Sequence, residues 1–210
     1  MENQKIVPSI LGIIAINILG IAICLILMFL LVPKIHFTTT YNTNVAPQTV
    51  QHTQTNTNNF IKDIEQTRLL WSEGQYDAMT VQAKKALSEA KGDIELANAH
   101  YWLGVAYYKN AMNSEAEKEE LLSVSLDPTD SGPYVTLGAI KSAEGNYKQE
   151  LIYAKKAVSL DATNPWAHNE LAIAYIDNGQ KQQGIEEFNK AIQLDPQNYT
   201  FRQNLNRVSQ

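Results

Sequence analysis

Cysteine is nearly absent from this chain: Cys24 is the only one in 210 residues. No paired-cysteine motif can therefore form, and the cysteine-free remainder suits either an oxidising or a reducing compartment. Basic charge is also short. Seventeen Lys and Arg stand against 22 Asp and Glu, a formal net charge of −5, with an isoelectric point near 5.4. That removes the electrostatic case for nucleic acid, whose phosphates demand a basic face. No nucleophile elbow and no glycine-rich phosphate loop occurs anywhere. Nothing in the residues points to an enzyme or to a cofactor.

Histidine is scarce as well, at four residues. His100 and His168 invite a metal reading, but they stand two periods of a repeat apart, in the column that holds Tyr134. A shared column implies packing at the start of a helix, so no metal is expected. The acidic run Glu115, Glu117, Glu119 and Glu120 lacks the spacing of a calcium loop and is read as a solvent-facing stripe. Asp127, Asp161 and Asp195 recur where turns are expected, so their role is read as turn and cap chemistry, not catalysis.

What the chain does have is a 34-residue period over its carboxy-terminal two thirds. Leu103, Leu137 and Leu171 share a column, followed by Gly104, Gly138 and Ala172. Ala111, Gly145 and Gly179 share another, as do Leu126, Leu160 and Leu194. A fixed period with apolar columns marks an array in which each unit buries its face against its neighbours. Within a unit the apolar residues recur three and four apart, break at Gly145 or Gly179, and resume at Leu151, Ala154, Ala157 and Val158. The unit is thus two helices and a turn, with glycine past the end of the first helix. Gly138 and Ala154 are read as small residues that let the two helices of a unit approach.

These residues resemble the tetratricopeptide repeat family, whose signature is a 34-residue helix-turn-helix. Three units match, at 97–130, 131–164 and 165–198; a more divergent one occupies 60–93, where Asp63, Gln66 and Thr67 stand at positions that ordinarily pack. Ile94 to Leu96 are three extra residues between the first unit and the second. Phe201, Leu205 and Val208 are spaced four and three apart, predicting a capping helix over 199–210. The expected fold is all-α: a solenoid of about four repeats over 60–198 with a carboxy-terminal cap, preceded by a single transmembrane helix.

That helix is expected at Ile10–Val32, a run without a charge in which Asn17 is the only strongly polar residue. At 1.5 Å per residue it reaches roughly 35 Å, enough for a hydrocarbon core of roughly 30 Å. A cleaved signal peptide would need a small-residue site, which Leu30-Leu31-Val32-Pro33-Lys34 does not offer. Ile23 is too large to precede a lipoprotein cysteine at Cys24. The reading is a single-pass membrane protein with a short tail at 1–9. That short tail and the long downstream domain favour a signal-anchor with the repeats on the exported side. Residues 33–59 form the expected linker. Sixteen of the 25 positions from Ile35 to Asn59 are Thr, Asn or Gln, too polar to offset the entropy of ordering, so a disordered tether is predicted.

The family resemblance implies that first helices line a concave groove for a protein or peptide partner. By position this gives Trp71, Asn98, Tyr101, Trp102, Val105, Tyr108, Lys109, Val135, Ala139, Trp166, Asn169 and Ile173. Trp and Tyr supply large contact area at low entropy cost. Trp166 and Tyr101 are expected to face the groove without contributing to the core. The implied function is a membrane-tethered interaction scaffold; the alternatives are self-association into a structural component, or an accessory subunit of an envelope assembly or transport machine. Gly12, Gly20 and Cys24 on one face of the anchor would serve self-association.

Overall fold

The computed structural model describes the backbone from Gln48 to Gln210 and the side chains from Asn59 onward. The amino-terminal tail, the anchor at 10–32 and the linker up to residue 47 lie outside the described residues. Among the described residues the chain is all helix, in nine segments: α1 (Gln48–Ser72), α2 (Tyr76–Glu89), α3 (Asp93–Lys109), α4 (Asn113–Leu126), α5 (Gly132–Ala143), α6 (Tyr147–Leu160), α7 (Pro165–Asp177), α8 (Lys181–Leu194) and α9 (Tyr199–Ser209). None of these helices is both long and apolar enough to cross a membrane.

The helices pack as antiparallel pairs, α1 with α2 through α7 with α8, and α9 closes the last pair. The turns inside the pairs share one device. At Gly145 the chain takes φ +73°, the Gly145 N–H donates to the Ser142 carbonyl at 2.9 Å, and the Asn146 N–H donates to Lys141 at 2.8 Å. These two bonds satisfy the carbonyls left open by the end of α5. Gly179 and Gly74 repeat the geometry, and Ala111 does so at φ +59°, the one non-glycine residue at positive φ among the described residues. Pro165 starts α7, with Asn164 Oδ1 accepting from the Trp166 and Ala167 N–H groups. Asp127 and Asp161 each take a backbone N–H and a threonine hydroxyl two residues on, at 2.6–3.0 Å, which holds both carboxyls below the usual aspartate range.

The core lies between pairs as well as inside them. Phe60 packs with Ala86 and Ala99; Met79 with Val105 and Ala106; Ala154 with Leu171 and Ala174. Each cluster joins the second helix of one unit to the first helix of the next, which is why a lone unit would expose its apolar face. Consecutive first helices also touch directly, α1 with α3, α3 with α5 and α5 with α7. That row of first helices forms one surface.

Four readings from the sequence change here. First, α1 begins at Gln48, inside the stretch expected to be a disordered linker up to Asn59. Residues 48–59 contain no Gly or Pro, so once Phe60 and Ile64 anchor the helix nothing in the sequence stops it extending backward. Second, Ile94 to Leu96 do not separate two units; they form the opening turn of α3, which enters through Gly92 at φ +79° and carries Asp93 and Glu95 in its first turn. Third, Gly138 does not serve the approach of α5 to α6. A Cβ there would meet the Glu170 side chain of α7 at 2.9–3.3 Å. Fourth, the acidic run near Glu115 is not a solvent-facing stripe. Glu117 pairs with Lys141 at 2.7 Å, Glu119 with His100 at 2.6 Å, and Glu120 is fully buried.

In the divergent first unit, Asp63 and Thr67 are buried. Lys85 Nζ and Gln82 Nε2 both donate to Asp63 Oδ1, at 2.8 and 2.7 Å, and the Thr67 hydroxyl donates to the Asp63 carbonyl. The histidine column is a packing column. His100 meets Glu119, Tyr134 meets Tyr153 at 6.4 Å between ring centroids, and His168 meets Glu187 at 2.6 Å, each pair 19 residues apart. Among the described residues no three His, Cys, Asp or Glu side chains gather as a metal site.

Candidate binding groove

The row of first helices carries a groove of about 910 Å³. All twelve residues read from the sequence line it: Trp71 from the end of α1, Asn98, Tyr101, Trp102, Val105, Tyr108 and Lys109 from α3, Val135 and Ala139 from α5, and Trp166, Asn169 and Ile173 from α7. They converge because helical spacing of three and four puts them on one side of each first helix, and the 34-residue period repeats that side in register. Val105 and Asn169 are nearly closed off from solvent, Lys109 is exposed, and the other nine are half-buried.

Several of these side chains are already engaged. Trp166 stands edge-on to Trp71, with ring centroids 5.7 Å apart, and edge-on to Phe201 of α9, at 4.9 Å. The expectation that Trp166 is dispensable to the core is therefore corrected: it joins the first unit, the fourth unit and the cap. Tyr101 and Trp102 lie at 5.1 Å and pack onto the cluster of Met79, Val105 and Ala106. Tyr101 also closes on Gly132, where a Cβ would come within 3.0 Å of the ring. Burial, then the nearby Glu120 and Asp130 carboxylates, push its hydroxyl well above the usual tyrosine range. Tyr108 belongs to no buried cluster, and Lys109 Nζ lies 5.6 Å from its ring centroid. Tyr108 thus lies outside the packing that occupies Trp71, Tyr101, Trp102 and Val105.

Sequence columns missed part of the lining. Ile64, Glu65 and Arg68 extend it along α1, and Thr200 and Asn204 of the cap close one end, where Asn204 donates to Asn169 Oδ1 at 2.9 Å. The most consequential omission is Glu170, which also lines the groove. It stands in the same 34-residue column as Trp102, so the period itself held the signal. Glu170 is 5 % exposed and its Oε1 has no hydrogen-bond partner. Burial, reinforced by the Glu150 and Asp177 carboxylates, raises its carboxyl well above the usual glutamate range, while Lys109 opposes the shift.

Comparison with known proteins fits this geometry. The tetratricopeptide repeat family matches residues 132–164 and 165–198. The chain is a tetratricopeptide repeat protein. Similar to it is the photosystem I assembly protein Ycf3 of Rippkaea orientalis, 28% identical over 127 residues, covering 49% of this chain and 73% of that protein. Among solved structures, a thermophilic repeat protein of Thermus thermophilus aligns with a TM-score of 0.62 at 20% identity, covering 71% of this chain and 80% of that one. The pilF protein of Pseudomonas aeruginosa aligns with a TM-score of 0.59 at 16% identity, over 73% of this chain and 68% of that one. The first repeat domain of Spaghetti (RPAP3), bound to the HSP90 peptide SRMEEVD, aligns with a TM-score of 0.51 at 16% identity, over 56% and 94%. At such identities these structural likenesses speak to the fold alone. Tetratricopeptide repeats are protein-interaction modules, and that is the class of activity the array carries.

Proposed function

We propose that this repeat protein is a membrane-tethered scaffold that holds a segment of a partner protein in the groove of α1, α3, α5 and α7. The observation that carries the reading is the groove itself: one concave surface, supplied by four helices, in which Trp102, Tyr108, Val135 and Ile173 present apolar area beside polar groups. Small apolar-lined grooves of this kind take extended or helical segments through a few aromatic anchors. The relative named for assembly work supports a recruiting role over a catalytic one. The charge-free stretch Ile10–Val32 supplies the tether, with the repeats on the exported side, and anchoring raises the local concentration of whatever the groove holds.

Photo-crosslinking in intact cells tests the groove, and membrane extraction tests the tether. A photoreactive residue at Val135 in the groove should join the chain to a foreign protein, and one at Leu121 on the outer helix α4 should not. The chain should remain with membranes after a carbonate wash and leave them when residues 10–32 are deleted. Adducts from Leu121 alone would overturn the groove reading, and carbonate release of the intact chain would overturn the tether.

A further inference from the structure

The groove contains acceptors with no donors. Glu170 is the clearest: nearly closed off from solvent, in the groove wall, with Oε1 unpartnered. A buried carboxylate oxygen without a hydrogen bond costs free energy that a folded chain ordinarily avoids. The space it occupies is provided by Gly138, since any side chain there would strike it. Asn98, on α3 in the same lining, also has a buried Oδ1 without a donor. Two more acids, Glu65 and Asp130, line the same cavity. The nearest cation does not fill the gap: Lys109 rests on the Tyr108 ring, and no ion pair joins it to Glu170.

We infer that the groove takes a partner segment bearing a lysine or arginine side chain, and that Glu170 receives its cationic head between the aromatic side chains of Trp102 and Tyr108. The inference rests on the groove reading above and adds the chemistry of the occupant. An apolar stem of methylenes suits the aromatic walls, and a cationic head supplies the donors that Glu170 and Asn98 lack. A segment held by its terminal carboxylate is the competing occupant. It would use Lys109 and Arg68 and would leave both acceptors unsatisfied. The raised carboxyl of Glu170 is consistent with the assignment: an arriving cation would ionise it and release a proton. The groups that face it are Glu150 of α6, Asp177 of its own helix, and Tyr108 and Lys109 of α3.

The probe is a displayed library of random twelve-residue peptides, selected on the full chain in detergent micelles. Peptides that bind the wild type and fail on Ala139→Tyr, which fills the groove, should carry Lys or Arg in one register beside apolar residues. Their affinity should fall about tenfold or more on Glu170→Gln. Exchanging that basic residue for Met should cost as much on the wild type and almost nothing on Glu170→Gln, a pattern that loss of folding cannot produce. Binding to the wild type should also release protons in calorimetry across buffers of different ionisation enthalpy. Groove-dependent peptides without a basic residue, or ones that require a terminal carboxylate, would overturn the assignment of Glu170 and leave the groove reading standing. Peptides indifferent to Ala139→Tyr, or none at all, would overturn both.

Discussion

Replacing Glu150 by Gln should make the domain more stable at alkaline pH and change little in acid. Glu150 lies on α6, in the column shared by Ala116 and Gly184. It is fully buried, and neither carboxylate oxygen has a partner. The nearby Ser142 hydroxyl donates to Asp177 Oδ2 instead, at 2.9 Å. Desolvation, then the Asp177 charge, lifts the Glu150 carboxyl from an ordinary 4.5 to about 7. The folded state therefore favours the protonated form. Its contribution is fully present below pH 4.5 and is lost as pH rises through 7. At about 1.4 kcal/mol per pH unit, that elevation corresponds to about 3 kcal/mol lost by pH 8.5. Glutamine keeps the shape and cannot ionise. Urea unfolding followed by circular dichroism, from pH 5 to 8.5, should show Glu150→Gln gaining about 3 kcal/mol over the wild type at the alkaline end and within about 1 kcal/mol of it at pH 5. Some slope should persist in the variant, because burial also raises the Glu120 and Glu170 carboxyls. A difference between the two proteins that does not change with pH would refute the reasoning.

Three further substitutions probe other parts of the array. Ala111→Gly should stabilise the domain by about 1 kcal/mol in thermal melting, since alanine at φ +59° bears a left-handed strain that glycine does not. Gly104→Ala should destabilise it by about 1–3 kcal/mol, because the new methyl would sit 2.5–2.9 Å from the Glu120 side chain, which is itself buried. Trp166→Ala should cost about 3 kcal/mol or more in urea unfolding, through loss of the edge-on contacts to Trp71 and Phe201, so any binding defect it shows must be read against its stability.

The sequence made the helix pairs and the groove columns legible for one reason: the 34-residue period repeats both the apolar spacing and the turn chemistry. Gly145 and Gly179 mark real turns, and the columns of Tyr101 and Val105 do converge on one surface. Features that break the period were harder to read. The extra turn at Ile94 to Leu96 adds helix without adding a repeat, and α1 runs back to Gln48 on residues that carry no pattern of their own. Glu120 and Glu150 occupy columns held elsewhere by Phe188 or Ala154 and by Ala116 or Gly184, so polarity alone pointed outward while the column pointed inward. The column was the better guide. The meeting of Trp71 with Trp166 depends on how the array curves over three units, a sum of small rotations that no single column encodes.

The most direct test of the central claim uses Tyr108, a groove side chain outside the buried clusters. The measurement is the dissociation constant of the partner segment captured from Val135, for the wild type and for Tyr108→Ala, with melting temperatures taken alongside. A groove that works by aromatic anchoring predicts binding weaker by about 1–2 kcal/mol, or roughly 5- to 30-fold, with melting almost unchanged. Full-strength binding by a normally folded Tyr108→Ala protein would contradict it.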